Sequence, residues 1–175
     1  MNLMAFPIVK LLRLIDRLFP PKTVYAHCDI PCGIYDPHEA QMAAHTVLRI
    51  ATMIEDLEAS SKEPTFEERK RIISQVARLT KVKEDHAEIV KHQIRIIWGD
   101  YFKAEHLESF KNLHDLVFGI LKQASFVRQN VDVKASRQLL EMVQEFAEIF
   151  WQSKGRKTNR IASGYPTEGE IVLPA

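Results

Sequence analysis

The sequence predicts an all-α protein, an antiparallel four-helix bundle with a short loop ahead of it. Apolar residues recur at spacings of three and four through four long segments, the joins between them are short, and no convincing strand interrupts them. The chain has 175 residues, enough for one domain with a sizeable core, and at 46% hydrophobic and 27% charged it reads as soluble and globular. A net charge of +1 gives no case for nucleic acid or an acidic membrane surface. No apolar run reaches transmembrane length, and two cysteines are too few for a secreted disulfide scaffold.

The first helix starts at Asp36-Pro37-His38-Glu39, where Asp36 can cap, Pro37 suits the first helical position and Glu39 completes a capping box. It runs to about Leu57 on a stripe of Ala40, Ala44, Val47, Ala51, Ile54 and Leu57. Residues 59–64 form a loop. A second capping box, Thr65-Phe66-Glu67-Glu68, opens one long helix that Gly99 closes. A bend, if any, falls near Thr80, and Ile73, Val76, Leu79, Ile89, Ile96 and Ile97 mark the apolar side. An irregular segment then carries Asp100, Tyr101 and Phe102. A third helix is expected over about 106–126, with Leu107, Phe110, Leu113, Val117, Ile120 and Leu121 inward. The fourth spans about 133–153 and ends on Phe150-Trp151. Met42, Met53 and Met142 read as packing. After Gly155 the composition shifts to Lys, Arg, Gly and Pro, so 155–175 is expected to be an extended or disordered tail, with Ile171-Val172-Leu173 able to dock on a neighbour.

The stretch before the bundle carries the chemistry. His27-Cys28-Asp29-Ile30-Pro31-Cys32-Gly33-Ile34-Tyr35-Asp36-Pro37 holds both cysteines of the chain and a histidine directly before the first. Two thiols and an imidazole within six residues make a soft ligand set. Pro31 and Gly33 let the backbone curl and point both sulfurs inward. Zinc would want four ligands in a closed tetrahedron, and His38, His45, His86, His92, His106 and His114 do not fall into zinc spacing. The missing ligands arise if the chain is cut before His27. The α-amine, with a pKa near ~8, then joins the Cys28 backbone nitrogen and the two thiolates in a plane, with the imidazole left as an axial ligand. A planar nitrogen-and-sulfur field suits nickel or copper, and anionic donors stabilise the higher oxidation state, so such a nickel can cycle between Ni(II) and Ni(III). The plainer reading is a local Cys28–Cys32 disulfide or two inert thiols.

Residues 1–26 are amphipathic. Leu11, Leu12, Leu14, Ile15, Leu18 and Phe19 mix with Lys10, Arg13, Asp16 and Arg17, unlike the uninterrupted apolar core of a secretory signal. Pro20-Pro21 ends any helix there, and Val24-Tyr25-Ala26 presents small residues where a signal-peptidase-like enzyme reads. From pattern alone this segment is either a removable leader or a first helix packed on the bundle.

The run from His27 to Pro37 resembles the N-terminal nickel hook of the nickel superoxide dismutases, and Trp98-Gly99-Asp100-Tyr101-Phe102-Lys103 resembles a second landmark of that family. The resemblance covers roughly 27–154. It implies a nickel cofactor, dismutation of superoxide to dioxygen and hydrogen peroxide, and metal ligation by His27, Cys28 and Cys32. It further implies a propeptide of 1–26, a maturation protease cutting between Ala26 and His27, and a homohexamer that buries the hooks. Asp29 is then a group that locks the loop by accepting backbone hydrogen bonds, and Pro31 takes a cis bond. Tyr35 and Tyr101 gate the open face of the metal, and Lys103 helps draw in the anion. One departure stands out: the helix-one glutamate and the later arginine that hold the axial imidazole in the best-known form fall here on Ala43 and His86. His86, or a neighbour such as His45, is expected to substitute. Two other classes use the same loop: a non-enzymatic nickel or copper carrier, and a thiol redox switch on a helical module. The need for reduced thiols and the poor export signal favour the cytoplasm.

Overall fold

The computed structural model describes residues 33–175. The positions expected to bind metal, His27, Cys28 and Cys32, with Asp29 and Pro31 between them, lie outside the described residues, as does the 1–26 segment. The elements run α1 His38–Glu55, α2 Phe66–Ile96, a π turn Ile97–Tyr101, α3 Ala104–Ser109, α4 Leu113–Gln129, α5 Val133–Ser153, β1 Thr158–Ala162 and β2 Glu170–Pro174.

Helices α1, α2, α4 and α5 form the four-helix bundle, each packed on two others. Side-chain bonds give the antiparallel registers. Gln93 on α2 donates to Glu39 on α1 (2.6 Å). Trp98 donates to His114 (3.0 Å) at one end of the α2–α4 contact, and Lys83 reaches Val127 at the other. Asn112 meets Glu145, and Gln123 meets the Ala135 carbonyl, along α4 and α5. The core between them is Val47, Leu48, Val90, Ile94, Ile120, Leu139, Val143, Phe146 and Phe150, all essentially inaccessible.

Thr65 caps α2 as the sequence implies, accepting from Glu68 N (3.2 Å). Asp36 accepts from His38 N (2.8 Å), but the N-cap of α1 is Pro37, one residue later than expected. Asp132, which the sequence reading did not single out, caps α5 by accepting from Ala135 N (2.7 Å). The Thr65 capping box is only half made, because Glu68 is taken by the backbone and hydroxyl of Ser60 (2.7 and 2.8 Å), and the Asp36 box is not made, because Asp36 bonds to His38 N and Glu39 is taken by Gln93. The expected third helix is two. Phe110, at φ −121° and ψ 70°, leaves the helical region and separates α3 from α4. Ile73 is 69% exposed rather than inward. The reason is length: α2 has 31 residues and α1 has 18, so α2 runs about 20 Å further. Burial on α2 begins at Lys83, level with the end of α4.

Lys83 is 1% exposed. Its ammonium donates to the carbonyls of Val127, Arg128 (3.0 Å) and Asn130 (2.8 Å). These are the carbonyls a helix C-terminus leaves without intrahelical partners, and a cation there also meets the negative end of the helix dipole.

The tail is the main departure from expectation. Residues 155–175 do contain strands: β1 and β2 pair antiparallel, Thr158 opposite Pro174 and Ala162 opposite Glu170. Gly155 (φ +69°) ends α5 with Gly155 N bonded to Gln152 O (2.9 Å) and Arg156 N to Trp151 O (3.0 Å), the paired bonds of a Schellman turn. Ile171 and Val172 are buried on their own chain's α1 and α5. Gln41 on α1 donates to Val172 O (3.0 Å) and accepts from Val172 N (2.8 Å), so one buried amide side chain completes the edge of β2 as a neighbouring strand would. Gln144 donates to Glu170 O (2.6 Å), and Arg160 pairs with Glu148 (2.7 Å). His45, 3% exposed, lies between Thr167 Oγ1 (2.8 Å) and Glu170 O (3.1 Å), with Tyr165 edge-on to its ring. A carbonyl only accepts, so Nε2 carries a proton toward Glu170 O.

Two expectations follow. Replacing Lys83 with Met leaves three carbonyls at the end of α4 without their donor and lowers the unfolding free energy by about 2 kcal/mol in urea titration. Burial holds the His45 imidazole below its ordinary value, against the opposing pull of the Glu170 carbonyl. The folded form therefore disfavours the proton that the unfolded chain accepts. The stability from this contact is complete above about pH 6.5 and is lost as pH falls from there through the depressed folded value. Between pH 7 and 5 the denaturation midpoint of the parent falls more steeply than that of His45→Gln.

Candidate metal centre

Among the described residues no group of three or more His, Cys, Asp or Glu is clustered to hold a metal ion. The chain's two cysteines both precede Gly33. The donor types of the His27–Cys32 stretch, two thiols and an imidazole, fit a borderline or soft ion such as nickel. What the structure describes is the protein surface at the hook's exit.

Gly33 has φ +71°, a left-handed conformation that side chains resist, and it turns the chain toward α1. Tyr35 follows, half-buried against the core. Its ring lies 5.8 Å from that of Tyr101, tilted by 52°. The two tyrosines of the two sequence motifs are therefore neighbours.

Tyr101 gets there through the π turn. Phe102 N bonds to Ile97 O (3.3 Å), five residues back, so the end of α2 carries one more residue per turn than an α-helix would. Trp98 is left on the surface, its indole held by His114 (3.0 Å). Tyr101 and Phe102 turn inward onto α5: Tyr101 lies 4.8 Å from Phe150, and Phe102 lies 5.7 Å from Phe146, ring centre to ring centre. His106 on α3 stacks on Tyr101 at 5.5 Å and 19°. Its Nδ1 accepts from Lys103 N (2.9 Å), which puts the neutral ring's proton on Nε2. Lys103 itself is exposed, at the rim of a depression of about 300 Å³ with Trp98, Phe102, Leu107 and His114.

The end of α5 adds residues that the sequence reading passed over. Ser153 Oγ lies 2.8 Å from the Tyr101 hydroxyl and donates to Phe150 O (2.7 Å). The Lys154 ammonium sits over three rings, 4.6 Å from Phe150, 5.3 Å from Tyr101 and 5.8 Å from Trp151. The Ser-Lys-Gly sequence marks a helix end, but nothing in it names the tyrosine that the serine meets.

Other expected residues lie elsewhere. His86 donates Nδ1–H to Val82 O of its own helix (2.9 Å), fifteen residues before Tyr101 and thus about 20 Å away along the axis. His45 has both ring nitrogens engaged by the hairpin, so it is not free to support another imidazole. Ala43 is 3% exposed and packs in the bundle core, where a glutamate's charge would need a partner.

Relatives complete the picture. The sequence model described as nickel-containing superoxide dismutase matches residues 22–154. The enzyme named superoxide dismutase [Ni] of Streptomyces coelicolor is 36% identical over 142 residues, 81% of this chain and 98% of its own. That of Streptomyces seoulensis is 35% identical over the same length and shares. The crystal structure of a nickel-containing superoxide dismutase with nickel ligation corresponding to the oxidised state superposes with a TM-score of 0.62 at 32% identity, covering 74% of this chain and 99% of the other. A native structure at 1.30 Å gives a TM-score of 0.61 at 32% identity, covering 73% and 99%. With the fold, two sequence motifs and a family match over most of its length in agreement, this chain belongs to the nickel-containing superoxide dismutase family, a nickel-dependent enzyme family acting on superoxide.

Proposed function

We propose that this chain converts two superoxide anions and two protons to dioxygen and hydrogen peroxide at a nickel ion held by its hook, once 1–26 has been removed. The observation that carries the site assignment is the 5.8 Å approach of Tyr35 to Tyr101, which joins the hook's exit to the second motif. Nickel, when bound, supplies the electron relay by alternating between Ni(II) and Ni(III).

The rest is the work of this chain's residues. Cys28 and Cys32 contribute thiolates, the Cys28 backbone nitrogen an amidate, and His27 its terminal amine and imidazole. Anionic sulfur and nitrogen donors are what bring a nickel couple into reach of superoxide. Processing between Ala26 and His27 creates the amine; in the unprocessed chain that nitrogen is an amide and cannot serve. Asp29 locks the loop by accepting backbone N–H groups, and Pro31 sets its curl. Tyr35 and Tyr101 stand at the open face, hold water there and admit small anions. Lys103, exposed near His106, adds positive potential for an approaching anion. Assembly of several copies, a hexamer by family analogy, would shield the thiolates from the peroxide they help to make. The cytoplasm suits thiols that must stay reduced until metal arrives.

The test is metal analysis with N-terminal sequencing of the active protein, followed by pulse-radiolysis decay of superoxide. Processed protein beginning at His27 is expected to carry nickel and accelerate the decay. Cys28→Ser or Cys32→Ser loses both nickel and the acceleration, and the unprocessed chain shows neither. Full-speed decay from a chain still bearing Met1 refutes the ligand set. Tyr101→Phe keeps its nickel but loses turnover by about tenfold, the scale at which residues supporting a metal site act.

A further inference from the structure

Ser153 is the last residue of α5, and its hydroxyl has a single proton to give. In a helix that continued, Lys154 N would serve the carbonyl of Phe150. Here Lys154 N turns to Trp151 O (3.1 Å), because the Schellman turn at Gly155 has begun. The Phe150 carbonyl is one of the helix-end acceptors that need another donor. The Ser153 hydroxyl fills that need at 2.7 Å. Its proton is therefore committed, and the 2.8 Å contact between Ser153 Oγ and the Tyr101 hydroxyl has one direction: the phenol donates and the serine accepts.

We propose that Ser153 is a positioning residue that sets the hydrogen-bond polarity of Tyr101 at the nickel site. With its proton spent on Ser153, the Tyr101 oxygen presents only lone-pair density to the open side. It accepts a hydrogen bond from water and cannot itself donate to an anion. A water held this way keeps its second O–H for the superoxide, so the anion meets a water proton rather than the phenol. The Phe150 and His106 rings against Tyr101, at 4.8 and 5.5 Å, restrict the phenol from swinging toward another acceptor. This rests on the reading of Tyr101 as part of the site.

The experiment uses processed, nickel-loaded enzyme with tyrosine labelled at 13Cζ, the Tyr101 resonance being identified by its loss in Tyr101→Phe, together with inhibition by azide as a small-anion probe. In Ser153→Ala the phenol loses its acceptor. The Tyr101 13Cζ signal is expected to shift, azide to inhibit about 3- to 10-fold more tightly because the phenol can now donate to it, and turnover to fall at unchanged nickel content. Ser153→Thr keeps the hydroxyl and restores the parent values. Should Ser153→Ala not fold, the parent enzyme alone decides. In mixed H₂O and D₂O a phenol proton held by Ser153 exchanges slowly and splits the 13Cζ signal, whereas a single averaged signal overturns the proposal. An unshifted resonance and unchanged azide affinity in Ser153→Ala overturn it as well. Tyr101→Phe at full turnover and parental azide affinity would instead sink the placement of Tyr101 at the site, whatever the spectra of Ser153→Ala show.

Discussion

The described part of the molecule depends on how α2 ends. Five residues, Ile97–Tyr101, wind with one residue too many per turn. That shift leaves Trp98 on the outside and swings Tyr101 and Phe102 toward α5. An α-helical continuation would advance each of these side chains by a different angle, and the pair would not both reach Phe146 and Phe150. A π turn has poorer hydrogen-bond geometry than the helix it interrupts, and the aromatic burial that follows it offsets that cost. The turn thereby makes one wall from the hook's exit, the end of α2 and the end of α5.

Tyr101 is the most heavily tied part of that wall. Tyr101 has Phe150, Phe102 and His106 around its ring and Ser153 at its hydroxyl. Trp98 is tied to His114 at the start of α4. At the far end of the bundle Lys83 closes α4 onto α2 with one buried ammonium. The C-terminal hairpin, a two-stranded unit that would be marginal alone, is held on α1 and α5 by Gln41, His45 and Gln144, side chains that complete the bonding of its backbone. Polar residues buried inside a bundle usually need explaining; among the described residues the hairpin explains Gln41, His45 and Gln144, and the carbonyls at the end of α4 explain Lys83.

How far the primary structure could be read depended on the range of the interactions. Helix positions followed from apolar spacing and from the Thr65 signal at the start of α2, because those signals act within one or two turns. The family resemblance was readable because His27 to Pro37 and Trp98 to Lys103 are contiguous motifs. The hairpin was not, since Ile171-Val172-Leu173 is too short to alternate convincingly and becomes a strand only against β1 and Gln41. The break at Phe110 was missed for a similar reason: the apolar stripe continues across it, and only the backbone angles of one residue divide the helices. Ile73 was assigned inward from its spacing, but spacing does not say how far the partner helices reach.

The sequence by itself determined the helical class and the membership of the family, because composition, periodicity and contiguous motifs are local properties of a chain. Only the tertiary structure decided that Tyr35 meets Tyr101, that the Tyr101 hydroxyl meets Ser153 and that His45 bonds to the hairpin. Each of those depends on where helices end and cross, and no short-range pattern in the chain encodes a distance between residues that folding alone brings together.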